Sequence, residues 1–278
     1  FRARIGDDGL PQAVDMKIAT PSVIASVFSR AFPSMSPAGP DRTMIEGAFD
    51  QPYDIPDYRV IGHKAELTMP VGFWRSVGNS YGAFFHEGFM DEIAAVTGTD
   101  PVEMRLKLMA NHPVAVKAVE KVAEMSNWGT LAPGRAKGIA FTISFGAWVA
   151  EVVEVSEEDG AIRIENAWCA ADVGRALDPR NVEAQMMGGM AFGLSAAIGE
   201  EITFADGMIE QTNYDSYTPL RMAACPNIEV AILENAPHMS GAGEPGTPPA
   251  APALANAIFA LTGTRLREMP FNKTVDFV

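Results

Sequence analysis

The stretch Gly241-Ala242-Gly243-Glu244-Pro245-Gly246-Thr247-Pro248-Pro249 runs straight into an apolar segment, Ala250 to Leu261, long enough for a buried helix. Glycines let the chain approach a neighbour closely or take up positive φ, and prolines fix φ and remove amide donors. The segment reads as a rigid loop that carries one carboxylate, Glu244, into the interior at the mouth of a core helix. A carboxylate desolvated in this way has a raised pKa and can serve as a general base near neutral pH. The alternative is a Gly/Pro loop that caps a core helix and holds an incidental glutamate.

A chain of 278 residues has room for one large or two ordinary domains, and an apolar content of 47% is ample for a core. No apolar run approaches the roughly 18 residues that a membrane-spanning helix needs. A net charge of −14 argues against nucleic acid or an anionic membrane surface as a partner. Cys169 and Cys225 are too few for a zinc cluster or a disulfide framework, and Cys169 sits in an apolar run as a buried thiol. Phe1 to Gly9 reads as an edge strand entering a turn, and a chain that opens mid-strand reads as a piece of something longer.

Residues 10–60, rich in Pro, Ser and Ala, read as an irregular wrap with little core of its own. A short strand is expected over Ala65 to Met69, then a helix capped by Asn79 or Ser80 and ended by Gly98. Asp100-Pro101-Val102-Glu103 has the form of a capping box with proline at N1, opening a helix through Met109, and a further helix covers about 114–126. Residues 127–137 form the best internal boundary. Beyond it, Gly138 to Val155 and Ala161 to Ala171 read as alternating strands joined by a hairpin turn at Asp159-Gly160. A helix capped by Asp178 runs to about Ile198. Asp206-Gly207 marks a hairpin, Asn227 to Leu233 a strand, residues 250–262 a core helix with Gly263 as its C′ residue, and Arg265 the start of a last strand.

Arg75, placed just ahead of a helix, suits an anion such as phosphate, or else snorkels from a packed loop. Gln185 lies beside Gly188, Gly189 and Gly193, and glycine in a helix interior costs about 1 kcal/mol relative to alanine. Close approach of a ligand offsets such a cost, and so does tight helix packing. His86-Glu87 begins like a zinc-protease helix, but Met90 stands where the second ligand belongs, so His86 reads as a surface or cap-region residue.

Taken in order, the motifs resemble one family. They are Phe73-Trp74-Arg75-Ser76-Val77-Gly78; Met90-Asp91-Glu92-Ile93-Ala94 followed by Thr97-Gly98-Thr99-Asp100-Pro101-Val102-Glu103-Met104-Arg105; Ala171 to Pro179 running into Gln185-Met186-Met187-Gly188-Gly189; and the Gly243-Glu244-Pro245 loop. This set resembles the molybdenum-binding subunit of the xanthine oxidase family. The first and last motifs most resemble the large (beta) subunit of isoquinoline 1-oxidoreductase and related membrane-associated aldehyde dehydrogenases. The resemblance implies an α+β fold of mixed sheets with packed helices. Residues 1–130 are then part of a first molybdopterin-binding domain, and 131–278 form a second that carries the Glu244 loop.

In that family a glutamate acts as base beside a molybdenum–pterin cofactor, and electrons leave through iron–sulfur clusters. Glu244 matches the base. Arg75, Ser76, Gln185, Gly188, Gly189 and Gly243 match cofactor-contacting positions, and Phe73, Trp74 and Val77 match walls of a substrate pocket. No residue of this chain is expected to ligate the metal, which the pterin, in its cytosine dinucleotide form, would hold. The family's Gly-Gln-Gly, Gly-Gly-Gly-Phe-Gly and Ser/Thr-Gly cofactor segments have no counterpart in these 278 residues. The resemblance therefore implies a companion chain carrying them, joined over an apolar interface of roughly 2,000 Å² or more, together with a small iron–sulfur subunit. The implied activity is oxidation of an N-heteroaromatic ring carbon or an aldehyde with water-derived oxygen. The alternative is a non-catalytic scaffold or degenerate paralogue that pairs with an active molybdenum subunit. The implied setting is bacterial, with the periplasm ahead of the cytoplasm.

Overall fold

The computed structural model describes residues 1–34 and 39–278. Strands β1 (Arg2–Ile5), β2 (Pro11–Thr20) and β3 (Asp57–Lys64) form a sheet in the order β1-β2-β3, with β1 antiparallel to β2 and β3 parallel to it. The parallel crossover contains helix α1 (Val23–Ala31), capped by Ser22, whose hydroxyl accepts the Ala25 N–H at 3.0 Å. The described part of residues 10–60 is therefore not an irregular wrap, and residues 35–38 of that reading lie outside the described residues. Val14, Met16 and Ile18 recur every second residue along β2 and are all buried. The strand expected over Ala65 to Met69 lies earlier, at β3. The Ala65 N–H still bonds the Thr20 carbonyl, but β2 stops there and leaves no ladder to extend.

Helices α2 (Gly78–Thr97), α3 (Pro101–Leu108) and α4 (Pro113–Met125) follow. Gly98 closes α2 in the left-handed conformation, and the Asp100 side chain accepts the Val102 and Glu103 amides to cap α3. Neither Asn79 nor Ser80 caps α2, because Val77 occupies the N-cap position and the Ser80 hydroxyl bonds the Val77 carbonyl instead.

Strands β4 (Arg135–Ser144), β5 (Ala147–Glu158) and β6 (Ala161–Asp172) then form an antiparallel meander. The segment read as one strand from Gly138 to Val155 is two, folded at Phe145-Gly146, where both residues take positive φ as a tight hairpin requires. Helix α5 (Pro179–Ile198), the hairpin β7 (Phe204–Ala205) and β8 (Met208–Ile209), strand β9 (Asn227–Leu233) and helix α6 (Ala250–Thr262) complete the order. The four-stranded sheet runs β4-β5-β6-β9, with β9 parallel to β6. No last strand starts at Arg265. Arg265 and Arg267 pair instead with Asp91 and Glu92 of α2, and the chain rejoins β6 only through one bridge, Ile162 to Phe277.

Both faces of this sheet are covered, which is why its strands are almost continuously buried rather than alternating. Helices α5 and α6 close one face over a cluster that includes Val149, Val153, Cys169, Met190 and Leu254. The other face, with Phe141, Val152 and Ala170, packs on a cluster drawn from β2, α2, α3 and α4. A Cβ on Gly138 would overlap the backbone of Ala257, so α6 rests directly on β4 there. This contact sets where α6, and hence the loop ahead of it, sits.

Candidate active site

The chain enters α2 through a strained turn. Ser76 has φ of 72° and Val77 φ of 48°, two successive non-glycine residues in the left-handed region. Each such residue costs about 1–3 kcal/mol, and persists only where its surroundings hold it. A Cβ on Gly78 would overlap the Thr43 carbonyl oxygen, and one on Gly82 the Glu46 carbonyl oxygen, so residues 43–47 are pressed onto the first turns of α2. From the opposite side, the Ser76 N–H donates to Glu244 Oε2 at 3.2 Å and its hydroxyl to the Glu244 backbone oxygen at 2.8 Å. Strain in the turn is thereby held by the loop that carries the carboxylate.

Arg75 ties three elements together. Its Nε donates to the Gly243 carbonyl at 2.9 Å, its Nη1 to the Gly188 carbonyl at 3.4 Å, and its Nη2 to Gln185 Oε1 at 3.3 Å. Its guanidinium also lies 5.6 Å from the Phe192 ring centroid. Partial burial pulls the Arg75 pKa down, and the negative charge of Glu244 opposes that. The structure thus brings Arg75, Ser76, Gln185, Gly188, Gly243 and Glu244 into one corner, between the start of α2, the middle of α5 and the loop before α6.

The glycines of α5 separate into two kinds. A Cβ on Gly189 would come within 3.0 Å of the Gly246 carbonyl carbon, and one on Gly193 within 2.6 Å of the Thr247 oxygen. Thr247 also donates its hydroxyl to the Gly189 carbonyl at 3.2 Å. These two glycines let the Glu244 loop lie against the helix. Gly188 is exposed, and a Cβ there would meet nothing within 4 Å; the same holds for Gly241 and Gly243 on the facing loop. Internal packing explains Gly189 and Gly193 but leaves Gly188 without a reason inside the chain.

Glu244 itself is half-buried rather than carried into the interior, because the buried part of the loop begins one residue later, at Pro245. Its position is set by the Ser76 bonds at the rim of the sheet-and-helix core. Trp74 tilts against Phe192 with ring centroids 4.9 Å apart, and lines a cavity of about 330 Å³ with Tyr81, Gly193, Thr247 and Ala251. Val77 is half-buried within the strained turn, while Phe73 is 55% exposed and does not line that cavity. Phe192 is an addition to the expected set. Its spacing of seven from Gln185 places both on one face of α5, a signal legible in the sequence.

His86 is not at the surface. It is fully buried beside Glu87, with Nδ1 3.1 Å from Glu87 Oε1 and its ring against Tyr53. Glu87 also accepts the Tyr53 hydroxyl at 2.6 Å, the Phe141 N–H at 2.8 Å and Arg105 Nε at 3.0 Å. Burial alone would push its pKa up, but Arg105, His86 and Tyr53 outweigh it and hold the carboxyl at about 2. Every recorded partner of Glu87 comes from inside the chain, while the buried His86 Nε2 meets no hydrogen-bond partner among the described residues.

A cationic guanidinium, the Gln185 amide nitrogen, unbonded among the described residues, and two backbone surfaces bare of side chains at Gly188 and Gly243 fit an anionic, hydrogen-bonding group that lies close to the chain. Two family models, each describing a molybdopterin cofactor-binding domain, match residues 15–109 and 90–226. The chain is 35% identical over 224 residues to the beta subunit of isoquinoline 1-oxidoreductase from Brevundimonas diminuta, a match that covers 78% of this chain and 29% of that protein. It is 30% identical over 293 residues to a nicotinate dehydrogenase subunit of Pseudomonas putida, covering 95% of this chain and 24% of the relative. The chain thus spans less than a third of the length of either curated relative. An aldehyde oxidoreductase structure from Desulfovibrio gigas matches with a TM-score of 0.72 over 96% of this chain and 47% of the other, at 14% identity, a likeness of fold. The chain belongs to the molybdopterin cofactor-binding family of xanthine oxidase type.

Proposed function

We propose that this family member is part of the catalytic subunit of a molybdenum hydroxylase, and that Glu244 is its base. Residues 1–130 would belong to a first cofactor-binding domain and 131–278 to a second. The molybdenum–pterin group, when bound, supplies the oxygen-transferring and electron-accepting centre. Arg75, Ser76, Gln185, Gly188, Gly189 and Gly243 are the residues of this chain that would hold or approach it. Arg75 fixes the Gly243 carbonyl and the Gln185 side chain in one plane of approach, so the loop does not have to reorganise as charge develops. The Ser76 N–H holds Glu244 Oε2 and leaves Glu244 Oε1 as the atom that takes up a proton. Trp74 and Phe192, tilted against each other, would form with Val77 an apolar, aromatic flank suited to a flat heteroaromatic or an aldehyde. Phe73 would join that wall when substrate is bound.

The names of the two curated relatives favour an N-heteroaromatic substrate, and their being named as subunits supports partner chains, a companion polypeptide with further cofactor segments and an iron–sulfur subunit to take the electrons. The cytosine dinucleotide form of the pterin and a periplasmic setting belong to the same proposal. The observation that carries the reading is the exposed, internally unexplained Gly188 beside the Arg75 hub and the Ser76-tethered carboxylate. In the intact complex, Glu244→Gln should keep molybdenum at the wild-type ratio while turnover falls by about three orders of magnitude or more, the loss typical of a removed general base. Turnover near that of the wild type would refute the assignment. A complex with no molybdenum at all would favour the scaffold.

A further inference from the structure

We propose that the solvent face of the β1-β2-β3 sheet is a docking surface for an acidic face of a partner protein chain. The proposal rests on the reading that this chain works in a complex with partner chains, and it does not depend on Glu244 being the base. The sheet has one buried face and one open one. Val14, Met16 and Ile18 of β2 point into the core, so the alternate residues Ala13, Asp15 and Lys17 stand on the other side. The strand register then fixes what lies beside them. Arg2, Asp15 and Arg59 form one row across the three strands, and Arg4, Ala13 and Asp57 form the next. Lys17 lies beyond Asp15 on the same side, opposite Ile61. Four cations thus share a face that is only two strand spacings wide, roughly 10 Å.

One cation of the four is answered within the face. Arg59 donates from Nε to Asp15 Oδ1 and from Nη2 to Asp15 Oδ2, both at 2.8 Å, a two-pronged pair. The Arg59 hydrogen bond holds the Asp15 carboxyl below its ordinary range, and the charges of Lys17 and Arg2 push the same way, which sets both of them around that carboxylate. Arg2, Arg4 and Lys17 are exposed and make no hydrogen bond or ion pair among the described residues. Elsewhere on the surface Arg267 and Lys273 each meet a carboxylate of this chain, Glu92 and Glu201. Like charges gathered on neighbouring strands repel. On a chain of net charge −14, this face is a local reversal of sign whose complement is an acidic surface. Its shape agrees. Ala13 puts only a methyl group between the outer strands, leaving a hollow of about 490 Å³ walled by Arg2 and Arg4 on one side and by Asp57 and Arg59 on the other. A protein surface fits it better than a chain of phosphates, because the exposed Asp57 at the rim would repel a polyanion but can accept a donor from a mixed protein face.

The test uses the intact complex and two independent readouts. A carbodiimide joins a lysine amine to a carboxylate with no spacer. Mass spectrometry of the digested, cross-linked wild-type complex should recover Lys17 joined to an Asp or Glu of a partner chain. The link should fade as salt approaches about 1 M, where charges are screened beyond roughly 3 Å. The second readout is affinity. Arg2→Glu combined with Arg4→Glu should weaken association with that partner by about tenfold or more at low salt, and by much less at about 1 M. Lys121→Glu, which reverses a charge on α4 instead, should stay within about twofold of the wild type. Lys17 joined only to carboxylates of its own chain or of a second copy overturns the proposal, and so does the absence of any Lys17 link. A double variant with wild-type affinity and salt dependence overturns it as well. A partner present without the Lys17 link refutes this face alone, whereas a chain that purifies with no partner refutes the partner reading and the face with it.

Discussion

Glu87 and Glu244 are both fastened to α2, one in its third turn and one at its entrance, and the fold treats them in opposite ways. Around Glu87 the chain assembles Tyr53, His86, Arg105 and the Phe141 amide, so that a fully buried charge has a partner on every side. At Glu244 the side chain receives one amide bond on one oxygen, while the nearby cation, Arg75, directs its donors to carbonyls and to Gln185. Glu87 is saturated. Glu244 is placed firmly by its backbone and left with capacity to bond something else, as the proposed base would need. The same contrast divides the glycines, with Gly189 and Gly193 explained by the Thr247 loop and Gly188 by nothing inside the chain.

The largest effect should come from breaking the saturated side. Glu87→Ala leaves Arg105 charged, fully buried and without its counter-ion, and should lower the unfolding free energy by about 3–5 kcal/mol, read by chemical denaturation. Its pH dependence has a definite sign. The folded-state pKa of Glu87 lies below the unfolded value, so its contribution is present above pH 5 and is lost as pH falls towards 2. Acid unfolding of the wild type should show this loss and the variant should lack it. A smaller effect is expected where the loop meets the helix. Gly189→Ala pushes a methyl group against the Gly246 backbone and should cost about 1–3 kcal/mol, with turnover reduced because the Glu244 loop shifts. Unchanged stability would show that the loop can yield there and would blur the distinction between the two kinds of glycine.

The smallest effect should be a gain. Glu151 lies fully buried across from Cys169, and neither of its oxygens meets a hydrogen-bond partner among the described residues. Burial drives its pKa well above the ordinary carboxylate value. A raised folded-state pKa gives a contribution that is intact below the unfolded pKa and declines as pH rises. Glu151→Gln should therefore match the wild type at pH 4 and be more stable by about 1 kcal/mol at pH 7, read as the difference between two denaturation curves. Equal stability at both values would mean that Glu151 has a partner that stabilises its charge.

Much of this organisation is legible in the sequence, for local physical reasons. The helix caps at Asp100 and Asp178, Gly98 and Gly263 as left-handed stops, and the Asp-Gly hairpins are written within a few residues and fold as read. The alternation in β2 is masked because proline, serine and alanine on either side make the region look like a loop, while Val14, Met16 and Ile18 carry the strand. The strand expected after Arg265 depends on a partner the sequence does not reveal, and its arginines are taken by Asp91 and Glu92. His86 looks polar and local, but its burial follows from Tyr53 and Arg105, which are far along the chain. The site divides in the same way. Arg75, Gln185 and Glu244 stand out by motif, whereas Phe192 belongs to no motif and is marked only by its place on the Gln185 face of α5.

The most direct test of the contrast is one measurement on Gly188→Leu, made on the intact complex: molybdenum content set beside thermal stability. The leucine replaces a helix-interior glycine at which an added Cβ would meet nothing within 4 Å, so the fold should be as stable as the wild type or more so, by up to about 1 kcal/mol. If the corner is kept open for the cofactor, molybdenum content should nevertheless fall several-fold. A complex that gains stability and still carries its full complement of molybdenum, with wild-type turnover, would contradict the account.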